Sequence, residues 1–356
     1  TNSGEIITAQ YSGEVSVWER TGGSWKCTES WKHHDWVWHV RAVKLNKKNC
    51  VISCSYDHTI IVYNLTDHEF LIRPIKSDSR IIAMGVVPKR NSIRILYGRK
   101  SPRHVLQRAA AEDPSTELNA VQTTLTVSKG SSVSVSAEKI MLNSAITKPP
   151  ANMPIRCIES DKDNSIICCS DSTSSRVFDC FGTTVCEIKT ECFRNIKIRC
   201  VSFEGDMTVY GGDDSSSRSG KVLLVKNKPQ EIVFDSPVSC VKVFSDKKRH
   251  RYFAVGTYGC KIYLYDYDGN ALFSIQTSDK VLCIDVYETY IMYSLLNGEL
   301  YRISIDEAIA GTAEPEVVIK TTSGFGGFCG VDFSECTITD KSNWGNEFMN
   351  CLSYYT

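Results

Sequence analysis

Val40-Arg41-Ala42-Val43 is one copy of a four-residue phrase that occurs seven times: an apolar residue, any residue, a small residue, an apolar residue. The other copies begin at Ile81, Ile155, Ile198, Val238, Val281 and Phe328. Successive copies start 40 to 47 residues apart, except for one interval of 74. A period in this range means that one supersecondary unit is copied along the chain. The phrase therefore decides the architecture before any single residue suggests a function.

The composition argues against several classes of function. In 356 residues, 41 Lys and Arg balance 41 Asp and Glu, so no global field favours nucleic acid or an acidic membrane surface. No apolar run is long enough for a transmembrane helix, and the polar start Thr1-Asn2-Ser3-Gly4 lacks the core of a signal peptide. We expect a cytoplasmic protein. Nuclear localisation is an alternative, because Lys247 to Arg251 resembles a basic import signal.

The 16 cysteines suggest a disulfide framework until they are placed on the repeat. Several occupy the small position of the phrase, and others lie in apolar runs, where Cys acts as a small buried residue. No Cys-x-x-Cys pair occurs. We therefore predict reduced core thiols, with no disulfides, no metal site and no cofactor.

Each repeat consists of short strand-like runs. Asn49 to Ser53 is followed by a turn and by Thr59 to Tyr63, and the same order recurs in Tyr252 to Thr257 and Cys260 to Tyr265. Turn residues recur every 8–12 positions, which indicates an all-β fold with hairpin connections. Four-stranded antiparallel units arranged radially form a β-propeller.

The repeat residues resemble those of the WD-repeat family. Ser53, Asp57 and Tyr63-Asn64 have the family's spacing, and Thr8, Ser12 and Trp18-Glu19 fit it with Ser in place of Asp. The resemblance implies a buried network that fixes the strands of one blade, here formed by His34, Ser53, Asp57 and Tyr63. Other repeats keep fewer of these residues and must depend on packing.

The phrase predicts a seven-bladed propeller over residues 1–333, with its ring closed by strands from the N- and C-terminal ends. The long interval from Ile81 to Ile155 leaves two interpretations open. Residues of about 100–150 are either an insertion in one blade or a degenerate eighth blade. Residues 334–356 are expected to form a C-terminal tail.

One face of the predicted propeller combines the residue types that dominate protein interfaces. Tyrosines recur immediately before the Asp position of the repeat, arginines fill the free slot of the phrase, and two tryptophans lie in the loop before the first complete repeat. The predicted partner-binding residues are Tyr11, Trp36, Arg41, Tyr56, Arg156, Arg199 and Tyr258, with Trp38 beside Trp36. The alternative for each residue is packing between blades, or an ion pair at the channel mouth.

We therefore predict a non-catalytic scaffold for proteins or peptides, because the sequence has no nucleophile elbow, P-loop or zinc-protease motif. The stretch from His34 to Val40 is similar to F-box/WD-repeat proteins. That similarity implies a substrate receptor of a cullin-type ubiquitin ligase, whose F-box would lie upstream of Thr1. Two alternatives are a trafficking or coat-type scaffold, and binding of RNA or phospholipid through basic turns such as Lys47-Lys48, Lys89-Arg90 and Lys247–Arg251.

Overall fold

The chain is all-β apart from one short helix among the residues described. The computed structural model describes residues 5–45, 48–89, 92–99, 117–127, 133–141, 157–160, 166–170, 175–179, 184–188, 196–214, 217–226 and 229–331. The helix α1 spans Ile305–Ala310, begins at the N-cap Ser304 and ends at Gly311, whose φ of 74° is the left-handed C-cap conformation. No helix in these ranges is long and apolar enough to cross a bilayer.

The strands form seven antiparallel sheets within the described ranges. Sheet 1 contains β1 (Glu5–Gln10), β2 (Glu14–Thr21) and β3 (Ser24–Lys32). Sheet 2 contains β4 (Val37–Leu45), β5 (Lys48–Ser55), β6 (Thr59–Asn64), β7 (Glu69–Phe70) and β8 (Ile75–Lys76). Sheet 3 contains β9 (Ile81–Lys89), β10 (Ser92–Arg99), β11 (Glu117–Val127) and β12 (Val133–Met141). Sheet 4 contains β13 (Cys157–Ser160), β14 (Ile166–Ser170), β15 (Ser175–Asp179) and β16 (Thr184–Ile188). Sheet 5 contains β17 (Ile196–Glu204), β18 (Met207–Asp214), β19 (Gly220–Val225) and β20 (Gln230–Phe234). Sheet 6 contains β21 (Val238–Ser245), β22 (Arg251–Thr257), β23 (Lys261–Asp266) and β24 (Ala271–Gln276). Sheet 7 contains β25 (Val281–Tyr287), β26 (Tyr290–Leu295), β27 (Glu299–Ser304) and β28 (Glu316–Lys320).

The last strand, β29 (Phe325–Val331), does not start a new sheet. It pairs with β1, so sheet 1 has the order β29-β1-β2-β3 and joins residues from both ends of the described chain. Ile7 lies opposite Cys329 in this pairing. The fully buried side chains of Phe325 and Phe328 pack with Ile6 and with residues of sheet 7.

The repeated phrase lies in the innermost strands, and crowding there explains its small residue. The phrases of sheets 5 and 6 contain a bulge just before Cys200 and Cys240. A Cβ added at Gly256 would lie 2.7 Å from the Cys240 sulfur, so the neighbouring strand leaves no room for a larger side chain. The innermost strands also contact one another in chain order: β4, β9, β13, β17, β21, β25 and β29. The last of them, β29, in turn contacts β4.

The long interval of the repeat contains one four-stranded sheet. β9 and β10 precede the stretch of about 100–150, and β11 and β12 lie inside it. Residues 117–127 and 133–141 thus complete sheet 3, and the choice between an insertion in one blade and a degenerate eighth blade stays a prediction. Residues 100–116 and 142–156 are outside the described residues, as are Ile155 and residues 332–356.

Nine cysteines whose side chains the structure describes are free thiols. Cys54, Cys157, Cys240 and Cys329 are buried. Burial raises the pKa of the Cys54 and Cys329 thiols to about 12, because the thiolate would lose its hydration. These groups are therefore neutral packing residues at ordinary pH.

Candidate functional site

The predicted tyrosines occupy equivalent turns. The backbone N–H of Tyr11 donates to the Gly324 carbonyl at 2.9 Å, and the N–H of Tyr56 donates to the Trp36 carbonyl at 2.9 Å. Tyr258 makes the same bond to Pro237 at 3.0 Å. Each bond ties the turn after a second strand to the loop that leads into an inner strand. The three turns are thus equivalent, and all three tyrosines line the same cavity.

Four rings on this face form an aromatic cluster, defined as Tyr11, Trp36, Trp38 and Tyr56. The Tyr11 centroid lies 5.0 Å from that of Trp36 and 5.5 Å from that of Trp38. Tyr56 stacks on Trp36 at 5.8 Å and contacts Trp38 at 5.2 Å. Trp36 keeps 46% of its surface exposed. The cluster is therefore a contiguous apolar surface contributed by sheets 1 and 2.

Arginines accompany two of the tyrosines. The guanidinium carbon of Arg80 lies 5.2 Å from the Tyr56 centroid, and that of Arg199 lies 5.6 Å from the Tyr258 centroid. Arg199 also donates two hydrogen bonds of 2.6 Å to the Asp213 carboxylate. This bidentate pair raises the pKa of Arg199 and keeps it charged.

A cavity of about 280 Å³ opens beside the cluster. Its wall contains Tyr11, Trp38, Tyr56, Arg199 and Tyr258, together with inner-strand residues from several sheets.

Within the cavity, charges from several sheets neutralise one another. Arg41 lies 3.4 Å from Glu159, and Lys242 lies 2.8 Å from Asp285 and 3.8 Å from Glu159. Burial alone would lower the pKa of Lys242, but the two carboxylates outweigh it and raise the pKa. Arg41 is therefore engaged in an ion pair inside the cavity, which agrees with the ion-pair alternative for this residue.

The buried polar network contains His33, and the assignment of His34 to it was wrong. His33 is 1% exposed; its Nε2 lies 2.9 Å from Ser53 Oγ and its Nδ1 lies 3.2 Å from Asp57 Oδ2. The side chain of His34 is exposed, and only its backbone N–H bonds Asp57, at 2.8 Å. The alternation of β3, with Trp31 buried and Lys32 exposed, continues through the loop and turns His33 inward.

The aromatic member of the network also differs from the prediction. Trp31 of sheet 1 donates from Nε1 to Ser53 Oγ at 3.4 Å, and Tyr63 stacks on Trp31 at 4.4 Å instead of bonding Ser53. The tautomer that satisfies this arrangement carries the proton on Nδ1 of His33, so that Ser53 donates to Nε2 and Nδ1 donates to Asp57. The network therefore joins sheet 1 to sheet 2. In sheet 1 itself, Trp18 donates from Nε1 to Thr8 Oγ1 at 2.9 Å, a hydrogen bond that the expectation of packing alone for this repeat did not include.

Acidification is expected to weaken the fold through Asp57. Burial would raise the pKa of this carboxyl, but hydrogen bonds from His33, Thr59 and the His34 backbone outweigh it and hold the pKa well below its usual value. A depressed carboxyl pKa adds stability above the unfolded pKa, about 3.9, and that stability is lost as the pH falls toward the folded pKa. Urea titrations between pH 7 and pH 2 should show a loss on the order of 2 kcal/mol from this group. The free-energy gap between wild type and Asp57→Asn should shrink on acidification; a constant gap would contradict the assignment.

The basic turns are partly neutralised. Lys48 pairs with Asp67 at 2.8 Å, and Arg251 pairs with Asp206. Lys247 and Lys248 stay exposed in a turn closed by a 2.9 Å bond from the Asp246 N–H to the His250 carbonyl. Lys47 and Arg90 are outside the described residues. Among the side chains that are described, no group of three or more His, Cys, Asp or Glu is arranged to hold a metal ion.

The structure thus brings together Tyr11, Trp36 and Tyr56, and it places the pair Arg199–Tyr258 elsewhere on the wall of the same cavity. Arg156 is outside the described residues, so its predicted role stays a prediction. Sequence reasoning missed Arg80 and the specific pairing of Asp213 with Arg199. Arg80 immediately precedes the phrase at Ile81 and so lies outside the four repeated positions.

Comparisons with known proteins support the fold. No protein-family model and no curated protein matches the chain. The structure is similar to Sqt1 of Saccharomyces cerevisiae, a WD40 propeller protein, with a TM-score of 0.58 and 12% identity over 91% of this chain and 84% of that one. It is also similar to the computationally designed protein Ika8, with a TM-score of 0.57 and 12% identity over 91% of this chain and 86% of that one. The chain therefore has a propeller-like all-β fold of antiparallel sheets.

Proposed function

We propose that the seven sheets are the blades of one closed, WD-repeat-like ring. Two observations support this. The inner strands contact one another in sequence around the molecule, and β29 completes sheet 1 by pairing with β1. In such a ring the cavity beside the aromatic cluster is the mouth of the central channel, and the ion pairs of Arg41 and Lys242 cross it.

The function we propose is non-catalytic docking of a protein or peptide on the face that carries the aromatic cluster. The observation that carries this proposal is a contiguous set of four rings, with Trp36 46% exposed, beside a cavity of about 280 Å³. Tyr, Trp and Arg dominate binding energy at interfaces, and Tyr and Trp bury large areas at low entropic cost. Exposure of such a set to water is unfavourable unless another surface covers it.

Trp36→Ala is expected to weaken partner binding by about 30-fold, the loss typical of an interface hot spot. Affinity purification followed by titration of the recovered partner measures this. Because Trp36 is half exposed, the melting temperature should change little.

Phe70→Ala is the matched control, since Phe70 is 54% exposed and is not part of the cluster. Its variant should keep every partner. Full retention of partners by Trp36→Ala would refute the assignment of the face.

A substrate-receptor role in a cullin-type ubiquitin ligase is our narrower proposal, based on the similarity of His34–Val40 to F-box/WD-repeat proteins. It is tested by co-purification of the natural protein with a cullin and by stabilisation of its bound partners after proteasome inhibition. Partners whose lifetime is unaffected would favour the trafficking-scaffold alternative. We also propose a cytoplasmic location, which fluorescence imaging of the tagged natural protein tests.

A further inference from the structure

Two cations line a second pocket at the edge of the aromatic cluster. Lys76 and Arg80 are exposed, and they share this pocket of about 550 Å³ with Tyr56, a member of the cluster. Among the described residues, neither cation has an ion-pair partner. Lys48 and Arg251 on the basic turns do have carboxylate partners. The pocket therefore presents positive charge that the described chain does not neutralise.

The guanidinium of Arg80 is held in place before any partner arrives. Its carbon lies 5.2 Å from the Tyr56 centroid, where the ring attracts the cation through its quadrupole. The segment that carries Arg80 is tied to the turn after Tyr56, because the Ser77 N–H donates to the His58 carbonyl at 2.8 Å. A side chain that is already ordered loses less entropy on binding. Arg80 is thus suited to form a specific contact.

The equivalent tyrosine of sheet 6 shows what a stacked guanidinium on this face binds. Arg199 lies 5.6 Å from the Tyr258 centroid and donates two 2.6 Å hydrogen bonds to the Asp213 carboxylate. The two carboxylate oxygens match the planar fork of donors. Arg80 makes the same kind of contact with Tyr56, but within the described chain it has no carboxylate.

Two carboxylates in the wall of the pocket do not satisfy the two cations. The Asp57 side chain is 7% exposed, and both of its oxygens accept hydrogen bonds inside the buried network. Asp35 accepts the Trp36 backbone N–H at 2.8 Å and forms no ion pair with Lys76 or Arg80. Their negative charge repels a dianion more than a monoanion. The pocket therefore favours a carboxylate over a phosphate group.

We propose that the docking partner binds Arg80 through an acidic side chain, so that an Asp or Glu of a peptide segment accepts hydrogen bonds from the stacked guanidinium. Lys76 adds electrostatic attraction from the same pocket. This inference rests on the docking function and names the chemistry of its partner. The aromatic cluster beside Tyr56 covers the apolar part of the same segment.

The experiment selects peptides from a random displayed library on the intact chain and titrates the recovered sequences. We expect these peptides to be enriched in Asp and Glu. Replacing the acidic residue by its amide should weaken binding about tenfold or more. Arg80→Gln should weaken the acidic peptide about tenfold and reduce the salt dependence of its binding. It should weaken the amide peptide far less, because the two changes remove the same contact.

Arg73→Gln is the matched control. Arg73 is exposed in the same loop region, between β7 and β8, but it does not line the pocket. Both variants remove one positive charge, so a loss of long-range attraction alone would affect them equally. Arg73→Gln should bind the acidic peptide nearly as the wild type does. Because both arginines are exposed, both variants should keep the melting temperature.

Each other outcome overturns a defined part of the reasoning. Peptides that need Trp36 but carry no acidic residue would refute the carboxylate inference and leave docking intact. Equal losses in Arg80→Gln and Arg73→Gln, or no loss in Arg80→Gln, would also refute it. Tighter binding after the acidic residue is replaced by phosphoserine would show that the pocket prefers phosphate. Selection that yields no peptide dependent on Trp36 would remove the support for docking itself.

Discussion

Phe325→Ala is expected to lower the free energy of unfolding by about 4 kcal/mol, the usual range for removing a fully buried phenylalanine. Phe325 is 0% exposed and packs with Ile6, Met292 and Leu300, so its ring joins sheets 1 and 7. Its loss opens a cavity where β29 meets β1. Urea unfolding followed by tryptophan fluorescence measures the change through the midpoint and slope.

Two further variants make this result interpretable. Phe325→Leu keeps most of the volume and should cost less than about 1.5 kcal/mol. Phe70→Ala removes the same side chain from a site that is 54% exposed and should cost far less than Phe325→Ala. A cost below about 1 kcal/mol for Phe325→Ala would show that β29 contributes little to sheet 1 in solution.

His33→Ala is expected to cost about 3 kcal/mol, because it leaves the buried Asp57 carboxylate and the Ser53 hydroxyl without their shared partner. The side chains of His33 and Asp57 are 0% and 7% exposed, so water cannot easily replace the lost bonds. The same denaturation experiment at pH 7 gives the value.

The adjacent histidine provides the matched control. His34 is exposed and bonds Asp57 only through its backbone, so His34→Ala should change stability by no more than about 0.5 kcal/mol. Equal effects of the two variants, or a larger effect of His34→Ala, would restore the assignment made from the sequence. A double variant of His33 and Asp57 should cost less than the sum of the single ones, because the two residues share one network.

The repeated phrase made the fold predictable from the sequence, since its period and its apolar positions reflect backbone geometry. Runs such as Thr59 to Tyr63 and Tyr252 to Thr257 lie in strands, because β-branched and aromatic residues fit a pleated, half-buried surface. The ten-residue spacing of Thr8 and Trp18 fitted the repeat, but the hydrogen bond between their side chains was not predicted from it.

The candidate site was predictable only in part. Equivalent turns could be identified from the repeat, which is why Tyr11 and Tyr56 were found. Their meeting with Trp36 depends on side-chain directions in two different sheets, and no pattern within one repeat contains that information. The same limit applies to Trp31, which crosses from sheet 1 to bond Ser53 of sheet 2. The sequence could have distinguished the buried His33 from the exposed His34. The alternation of buried and exposed residues in β3 continues into the loop and places His33 on the buried side.

The pairing of β29 with β1 has a consequence for biosynthesis. The chain leaves the ribosome from its N-terminal end, so β1 is made more than three hundred residues before the strand that covers it. During that time β1 presents unpaired backbone groups, which are a template for joining another nascent chain. Its neighbour β2 can shield only one side. We therefore expect translation to produce a long-lived open intermediate, and chaperones that bind exposed strand edges to be needed until residue 331 emerges.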